Sequence, residues 1–320
     1  MDLRQLRYFV KVVECANMTR ASEMLHVAQP AVSQQIRNLE NEMGMLLLDR
    51  SSQGVTATAA GMTLHRHALQ LLREADRTRE LLRQDAETPH GKVSVGLPSS
   101  TSRVLAMPLA RTVRERYPGI VLELMEMPSA DLPGAIASGR IDVAIVSDAI
   151  EMRGIRTEYL LSEALHLIAW PEFDLPSEPI SVIQLAEMPL VLPSAPNTIR
   201  TRVESTLREN GLACQVLFEA SSTALLLAAV VAKLGVTILP SPAAHVELDR
   251  KKLKLARIKS RHFKRDLSLC WRDTSLLSNA VVKVKEALKE LASRLNERER
   301  QPISAKGAAT RKPRRARRGG

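Results

Sequence analysis

The stretch from Met18 to Gly44 constrains this chain most, because its apolar residues keep helical spacing on both sides of one short break. The spacing predicts a short helix that Thr19 caps, with Ala21, Met24 and Leu25 facing inward. Val27, Ala28 and Gln29 then form a turn before Pro30, a residue favoured in the first turn of a helix. The next helix turns Val32, Ile36, Leu39 and Met43 inward at steps of four, three and four, and Gly44 ends it. That leaves Ser33, Gln34, Arg37, Asn38 and Asn41 facing away. An earlier helix carries Leu3, Leu6, Val10 and Val13 as one stripe, with Phe9 beside them. A short helix, a turn and a second helix with a Ser, Gln, Arg and Asn face make a helix-turn-helix unit. Gln and Asn can meet adenine with two hydrogen bonds, Arg can meet guanine likewise, and Ser adapts to either. Leu46 to Arg50, a loop Ser51 to Gly54, and Val55 to Thr56 follow as a two-stranded wing that can lie on a DNA backbone.

Charge agrees with a polyanion partner only in part. The net charge is +11, yet residues 1–60 carry six basic and six acidic side chains, while residues 301–320 carry seven basic and none acidic. The DNA reader must therefore place its few cations by geometry. The tail from Arg311 to Arg318 is disordered by composition, and fits either phosphate contact or simple solubilisation. Nine dispersed aromatic residues supply no stacking platform for single strands. The three cysteines, Cys15, Cys214 and Cys270, lie too far apart for a disulfide framework or a zinc cluster and are expected to be buried thiols. Neither a membrane span nor an export signal is legible in the chain, so the expected compartment is the cytoplasm.

The runs Leu6-Arg7-Tyr8-Phe9, Thr19-Arg20-Ala21-Ser22-Glu23, Ala28-Gln29-Pro30-Ala31-Val32-Ser33-Gln34-Gln35-Ile36-Arg37, Leu39-Glu40 and Thr58-Ala59-Ala60-Gly61 resemble, in order and spacing, the LysR-type transcriptional regulators. Within that family, His26-Val27-Ala28-Gln29-Pro30 with the later Gly54-Val55-Thr56 is most similar to the nitrogen-assimilation-control branch. The resemblance implies a sequence-specific regulator that binds double-stranded DNA as a homodimer or homotetramer, with RNA polymerase as a candidate partner. The DNA-contacting set expected here is Thr19, Arg20, Gln29, Pro30, Ser33, Gln34, Arg37, Asn38 and Arg50. Three positions depart from the family's pattern: Ala28 stands for a capping Ser, Leu48 for Phe, and Gln53 for a wing arginine, which weakens the expected phosphate anchor.

From Ala60 to about Ala86 there is no Pro, and no Gly after Gly61. Leu64, Ala68, Leu71, Ala75, Thr78 and Leu82 follow as a heptad seam on one helix about 40 Å long. Such a seam exceeds what a sixty-residue winged unit can cover, so it is expected to pair with a second copy. His65 and His67 fall on different faces and read as solvated rather than as a metal pair.

After Thr88-Pro89-His90-Gly91 strands and helices alternate. Strands are expected at 92–97, 120–125, 141–146, 165–170, 190–192, 215–219, 236–239 and 266–271, and helices at 103–117, 131–138, 199–210, 223–233 and 276–298. The fold class is thus an α winged helix-turn-helix plus an α/β part, joined by a linker helix. The expected divisions are a DNA-binding domain at 1–60, a linker helix at 61–87, a two-lobed domain at 88–300 and a tail at 301–320. Lobe I takes about 92–162 and 267–298, and lobe II about 163–266. This region also resembles the family's effector domain, itself similar to periplasmic binding proteins, through Ser138-Gly139-Arg140-Ile141-Asp142-Val143-Ala144-Ile145 and Lys233-Leu234-Gly235-Val236-Thr237-Ile238-Leu239-Pro240.

Ligands of open α/β sheets bind at strand ends and helix N-termini. Hydroxyl and amide residues gather at those places: Ser99, Ser100, Thr101, Ser102, Ser129, Ser147, Ser194, Asn197, Thr198 and Ser222. As a group they can hold a small polar or anionic effector; singly each reads as a cap. Arg103, Arg200 and Arg202 can add charge, or be merely solvated. Two alternatives stand beside an effector-gated regulator: a regulator without an effector, controlled by its own level, and a cytoplasmic solute-binding protein. No catalytic site is expected, since nucleophile-elbow, phosphate-loop and zinc-protease motifs do not occur, and neither a metal nor a cofactor is expected.

Overall fold

The computed structural model describes residues 1–51, 54–82, 88–273 and 277–300. The basic tail, Gln53 of the wing and the side chain of Leu82 fall outside them.

Helix α1 (Leu3–Cys15) opens on a reciprocal cap. Asp2 accepts the Gln5 N–H at 2.8 Å, and the Gln5 side chain accepts the Asp2 N–H at 2.9 Å. The helix buries two faces rather than one stripe: Phe9 and Val12 enter the core of the DNA-binding unit, whereas Leu6 and Val10 pack toward the linker. Helix α2 (Met18–Met24) is capped by Asn17, not Thr19, because the Asn17 side chain reaches the Arg20 N–H at 3.0 Å and Thr19 is already the second residue of the helix. Met24 is 56% exposed rather than inward; Met18 takes the core position. Helix α3 (Gln29–Met43) buries Val32, Ile36 and Leu39 completely and ends at Gly44, whose φ of +68° suits glycine.

Strands β1 (Leu48–Ser51) and β2 (Gly54–Ala57) form the antiparallel wing. It is stitched to α1 by Val55 N–H donating to the Ala16 carbonyl at 3.0 Å. Helix α4 (Ala59–Leu82) follows at once. It sits so close to the start of the wing that a Cβ at Gly61 would lie 2.0 Å from the Leu47 carbonyl oxygen. Part of the seam expected to face a second copy is covered by the chain itself. Ala68 and Leu72 pack against Leu6 and Val10 of the same chain, and Leu64 bridges to the helix-turn-helix core. Leu71 remains 45% exposed. His67 is exposed as expected, but His65 is half-buried, with Nε2 enclosed and without a hydrogen-bond partner among the described residues.

The α/β part begins with β3 (His90–Leu97), α5 (Ser99–Arg116), β4 (Gly119–Glu126), α6 (Leu132–Ala137) and β5 (Val143–Ser147). Strand β3 pairs in parallel with both β4 and β5. Strand β6 (Ile155–Ala169) is 15 residues long where a strand at 165–170 is expected, because its first half runs along β11 (Lys264–Arg272) in the first lobe while its second half enters the other lobe. There it pairs with β9 (Thr237–Pro240) and β10 (Lys254–Arg257). Between them come α7 (Val182–Ala186), β7 (Leu190–Pro193), α8 (Thr198–Glu209), β8 (Val216–Ala220), α9 (Thr223–Val231) and α10 (His245–Asp249). Helix α11 (Asn279–Arg300) returns to cover the first lobe. The sheet order is β10-β6-β11-β5-β3-β4, with β9 also on β6 and a parallel β7-β8 pair beside it. Each lobe has its own core.

The linker helix is tied to the first lobe. Arg73 donates to the Gly139 carbonyl at 2.9 Å, and Arg272 donates to Glu74 at 3.1 Å. Of the cysteines only Cys270 is buried; Cys15 and Cys214 are half-buried, which corrects the expectation for those two. Burial pushes the thiols of Cys214 and Cys270 above their ordinary pKa, which disfavours thiolate chemistry at either. No described helix is long and apolar enough to cross a membrane.

Candidate nucleic-acid interface and interlobe cleft

The outward face of α3 is already ordered by its own side chains. Arg37 donates to Gln34 Oε1 at 2.8 Å, and Gln34 donates to Asn38 Oδ1 at 2.9 Å, so the three polar heads form one row. Spacings of three and four residues make this row possible on a helix. Gln29 and Pro30 are exposed at the N-terminus of α3, where Ala28 provides no side-chain cap, and Thr19 and Arg20 are exposed on α2. Ser33 departs from the outward face expected of it. It is 7% exposed, and its Oγ accepts from Arg37 at 3.1 Å and from Arg50 at 3.3 Å. A small hydroxyl can be enclosed at low cost when its lone pairs are used, so Ser33 lies beneath two arginines instead of beside them. Glu40, a residue that polarity sorting leaves without a role, accepts from Arg50 at 3.3 Å. The spacing 33, 37, 40 along one helix face is the trace of this arrangement in the sequence.

The cleft residues divide three ways. Asn197 and Ser222 are helix caps: Asn197 accepts the Ile199 N–H at 2.9 Å, and Ser222 accepts the Leu225 N–H at 3.3 Å. Ser194 is half-buried, with its N–H on the Ala220 carbonyl at 3.1 Å, and Thr198 is the first residue of α8. Ser129 accepts the Ser147 N–H at 2.8 Å, which ties two ends of the first lobe. The run Ser99 to Ser102 is the first turn of α5 itself, not a loop before a helix at 103, because Ser102 N–H already reaches the Pro98 carbonyl at 2.8 Å.

Two members of that turn face protein groups. Ser99 Oγ accepts the Thr223 N–H of the second lobe at 2.9 Å. Ser100 Oγ accepts from Arg265 at 2.9 Å, and Arg265 Nε donates to Glu163 at 2.6 Å. Arg265 and Glu163 are register partners on β11 and β6, both almost sealed from solvent, where the chain passes between lobes. The arginines expected to be free cations are engaged too. Arg103 grips both oxygens of Glu247, at 2.8 and 3.0 Å, across the lobes. Arg202 donates to Asp148 at 2.6 Å, and Arg200 pairs with Glu204 at 2.7 Å. Thr101 and Ser147 remain buried with hydroxyls that have no partner among the described residues. A cavity of about 20 Å³ lies beside Thr101 and Glu163, room for about one water molecule.

Residues 3–62 match the lysR family of bacterial regulatory helix-turn-helix proteins, and residues 86–293 match the LysR substrate binding domain. The chain is 36% identical over 307 residues to the nitrogen assimilation regulatory protein nac of Klebsiella aerogenes, covering 95% of this chain and all of that one. It is 28% identical over 290 residues to the transcriptional dual regulator OxyR of Escherichia coli, covering 90% of this chain and 95% of the relative. The fold is that of the LysR regulator CbnR, with a TM-score of 0.71 at 23% identity over 91% of this chain and 99% of that one. The helix-turn-helix, the wing and the two-lobed α/β domain are thus parts of one architecture, and the chain belongs to the LysR family as a DNA-binding transcriptional regulator, not an enzyme.

Proposed function

We propose that Gln34, Arg37 and Asn38 read base edges in the major groove, while Thr19, Arg20, Gln29, Pro30 and Arg50 meet the flanking backbone and Ser33 supports the two arginines from beneath. The hydrogen-bonded row on the exposed face of α3 carries this reading, since preordered donors lose little freedom on binding. Replacing Arg37 with Ala should cost roughly 1–3 kcal/mol on a selected duplex and far less on random duplex. Titrating both duplexes checks this, and equal losses would reduce Arg37 to a phosphate contact. The similarity to a nitrogen assimilation regulator makes promoters of nitrogen-assimilation genes the first duplexes to try. The protein acts where such DNA is, in the cytoplasm, and RNA polymerase bound at the promoter is the neighbour it would contact.

Exposed apolar side chains on the linker helix and on both lobes support a homodimer or homotetramer. Leu71 is exposed on one side of α4, the side of the proposed seam, and Met107, Val121, Leu217 and Leu225 are exposed on the two lobes. Solved relatives include CbnR held on its target DNA. Leu71→Glu should leave the fold intact, because Leu71 is not in the chain's own core, yet lower dimer stability and specific DNA affinity together. A dimer unchanged in sedimentation would remove Leu71 from the seam.

The cleft supports control by protein level rather than by an effector, since Arg103, Ser99 and Arg202 are all spent on protein partners. One observation favours a second reading, a small polar or anionic effector: the unpartnered buried hydroxyls of Thr101 and Ser147. Calorimetry of the full-length protein against small carboxylates and amides separates the two. Heat of binding that raises or lowers operator affinity selects the second.

A further inference from the structure

Glu40 is a carboxylate sealed inside the DNA-binding unit, 7% exposed, beside Leu39 on the inner side of α3. An enclosed carboxylate must be supplied with donors, and these donors all come from the wing. Oε1 accepts the backbone N–H groups of Leu47 and Leu48, at 3.0 and 3.2 Å, where the chain enters β1. Oε2 accepts from Arg50 at 3.3 Å, two residues further along the same strand. Arg50 continues to Ser33 Oγ at 3.3 Å, and the same oxygen takes Arg37 at 3.1 Å. Two guanidinium groups drawn onto one hydroxyl repel each other, and the carboxylate behind Arg50 offsets that repulsion.

Resting on the reading of α3 as the base-reading face, we propose that Glu40 is a specificity-positioning residue. It sets the register of the wing against α3 and holds Arg50 on Ser33, so that Arg37 and Arg50 meet a duplex as one preset pair. Glu40 touches no DNA in this arrangement. A carboxylate serving only to fill the core would need its backbone bonds but not the Arg50 arm. That difference can be tested, because Glu40→Gln keeps an oxygen for the Leu47 and Leu48 N–H groups and replaces the oxygen facing Arg50 with an amide that cannot accept from it.

The experiment uses the full-length protein, a duplex enriched by the wild type from a random pool, and unenriched random duplex of equal length. Glu40→Gln should melt with the wild type to within a few degrees. Its affinity for the enriched duplex should fall about ten-fold, the size of one mispositioned base contact. Affinity for random duplex should hold or rise, because one negative charge is removed near the backbone. In an Arg50→Ala background the further loss on the enriched duplex should vanish, since the effect travels through Arg50. Ser33→Ala, which breaks the same relay one bond later, should lower the ratio of enriched to random affinity as Glu40→Gln does. Equal losses on the two duplexes, or an undiminished effect of Glu40→Gln without Arg50, would overturn the proposal. If the wild type enriches no duplex, the base-reading assignment fails and takes this proposal with it; enrichment followed by equal losses defeats the positioning role alone.

Discussion

Arg265→Met is expected to destabilise the two-lobed domain by about 3–5 kcal/mol, the range for removing one member of a buried ion pair. The side chain of Arg265 is 3% exposed and that of Glu163 is 9% exposed, so methionine fills the volume but leaves a carboxylate without its cation. Ser100 loses its donor in the same step. Because both partners sit on the strands that pass between the lobes, the loss should appear in the main unfolding transition rather than as local fraying. Replacing both partners, Arg265→Met with Glu163→Leu, should recover most of it, since apolar substitutes for a buried pair are often neutral or stabilising. Denaturant titration of the two variants beside the wild type checks the pattern; a cost of Arg265→Met alone below about 1 kcal/mol would mean that water reaches the pair. By the same geometry Ser100→Leu strips a buried arginine of an acceptor and overfills its surroundings. It therefore tests stability.

The second large effect is expected at Phe9→Ala. Phe9 is completely buried among Ala21, Val32, Ile36 and Leu39, the contacts that hold α3 at its angle to α1 and α2. Deleting a core aromatic costs about 3–5 kcal/mol, while a unit of sixty residues has a total stability of roughly 3–9 kcal/mol. The helix-turn-helix should then be largely unfolded at 37 °C and DNA binding lost, with the two-lobed domain melting much as before. Calorimetry on the full chain should show an early, small transition separate from the main one; a single unshifted transition with intact DNA binding would contradict this.

Period and polarity made α1, α3 and most of the alternating strands legible, because Val32, Ile36 and Leu39 have no alternative to burial. The failures share a cause: polarity says which side chains water accepts, not which ones find a partner inside. Ser33 reads as surface and Glu40 is given no place, yet both are enclosed, since Arg50, on the next strand, comes back over them. Met24 reads as core and is exposed because the two-turn helix α2 needs only Met18 and Ala21 inward. The first half of β6 alternates too weakly to be seen, with Thr157, Glu158 and Tyr159 pairing to β11 more than a hundred residues away. Leu71 and Leu72 are neighbours, and only the position of α1 decides which of them the chain covers for itself. At the cleft the hydroxyl residues were legible and their partners were not, because a bond such as Ser100 to Arg265 spans the whole second lobe.

That lobe leaves and returns at one place. Ala164 and Lys264 are register partners on adjacent antiparallel strands, and Leu165 N–H donates to the Phe263 carbonyl at 2.9 Å just beyond them. Such partners lie about 5 Å apart, a gap that a two-residue hairpin turn bridges. Everything from residue 165 to 263 is, in topological terms, a cassette spliced into a hairpin. The entropic penalty of closing an excursion grows only with the logarithm of its length. A chain of this design can therefore lengthen, shorten or exchange the cassette in evolution while the sheet that receives the linker helix stays as it is.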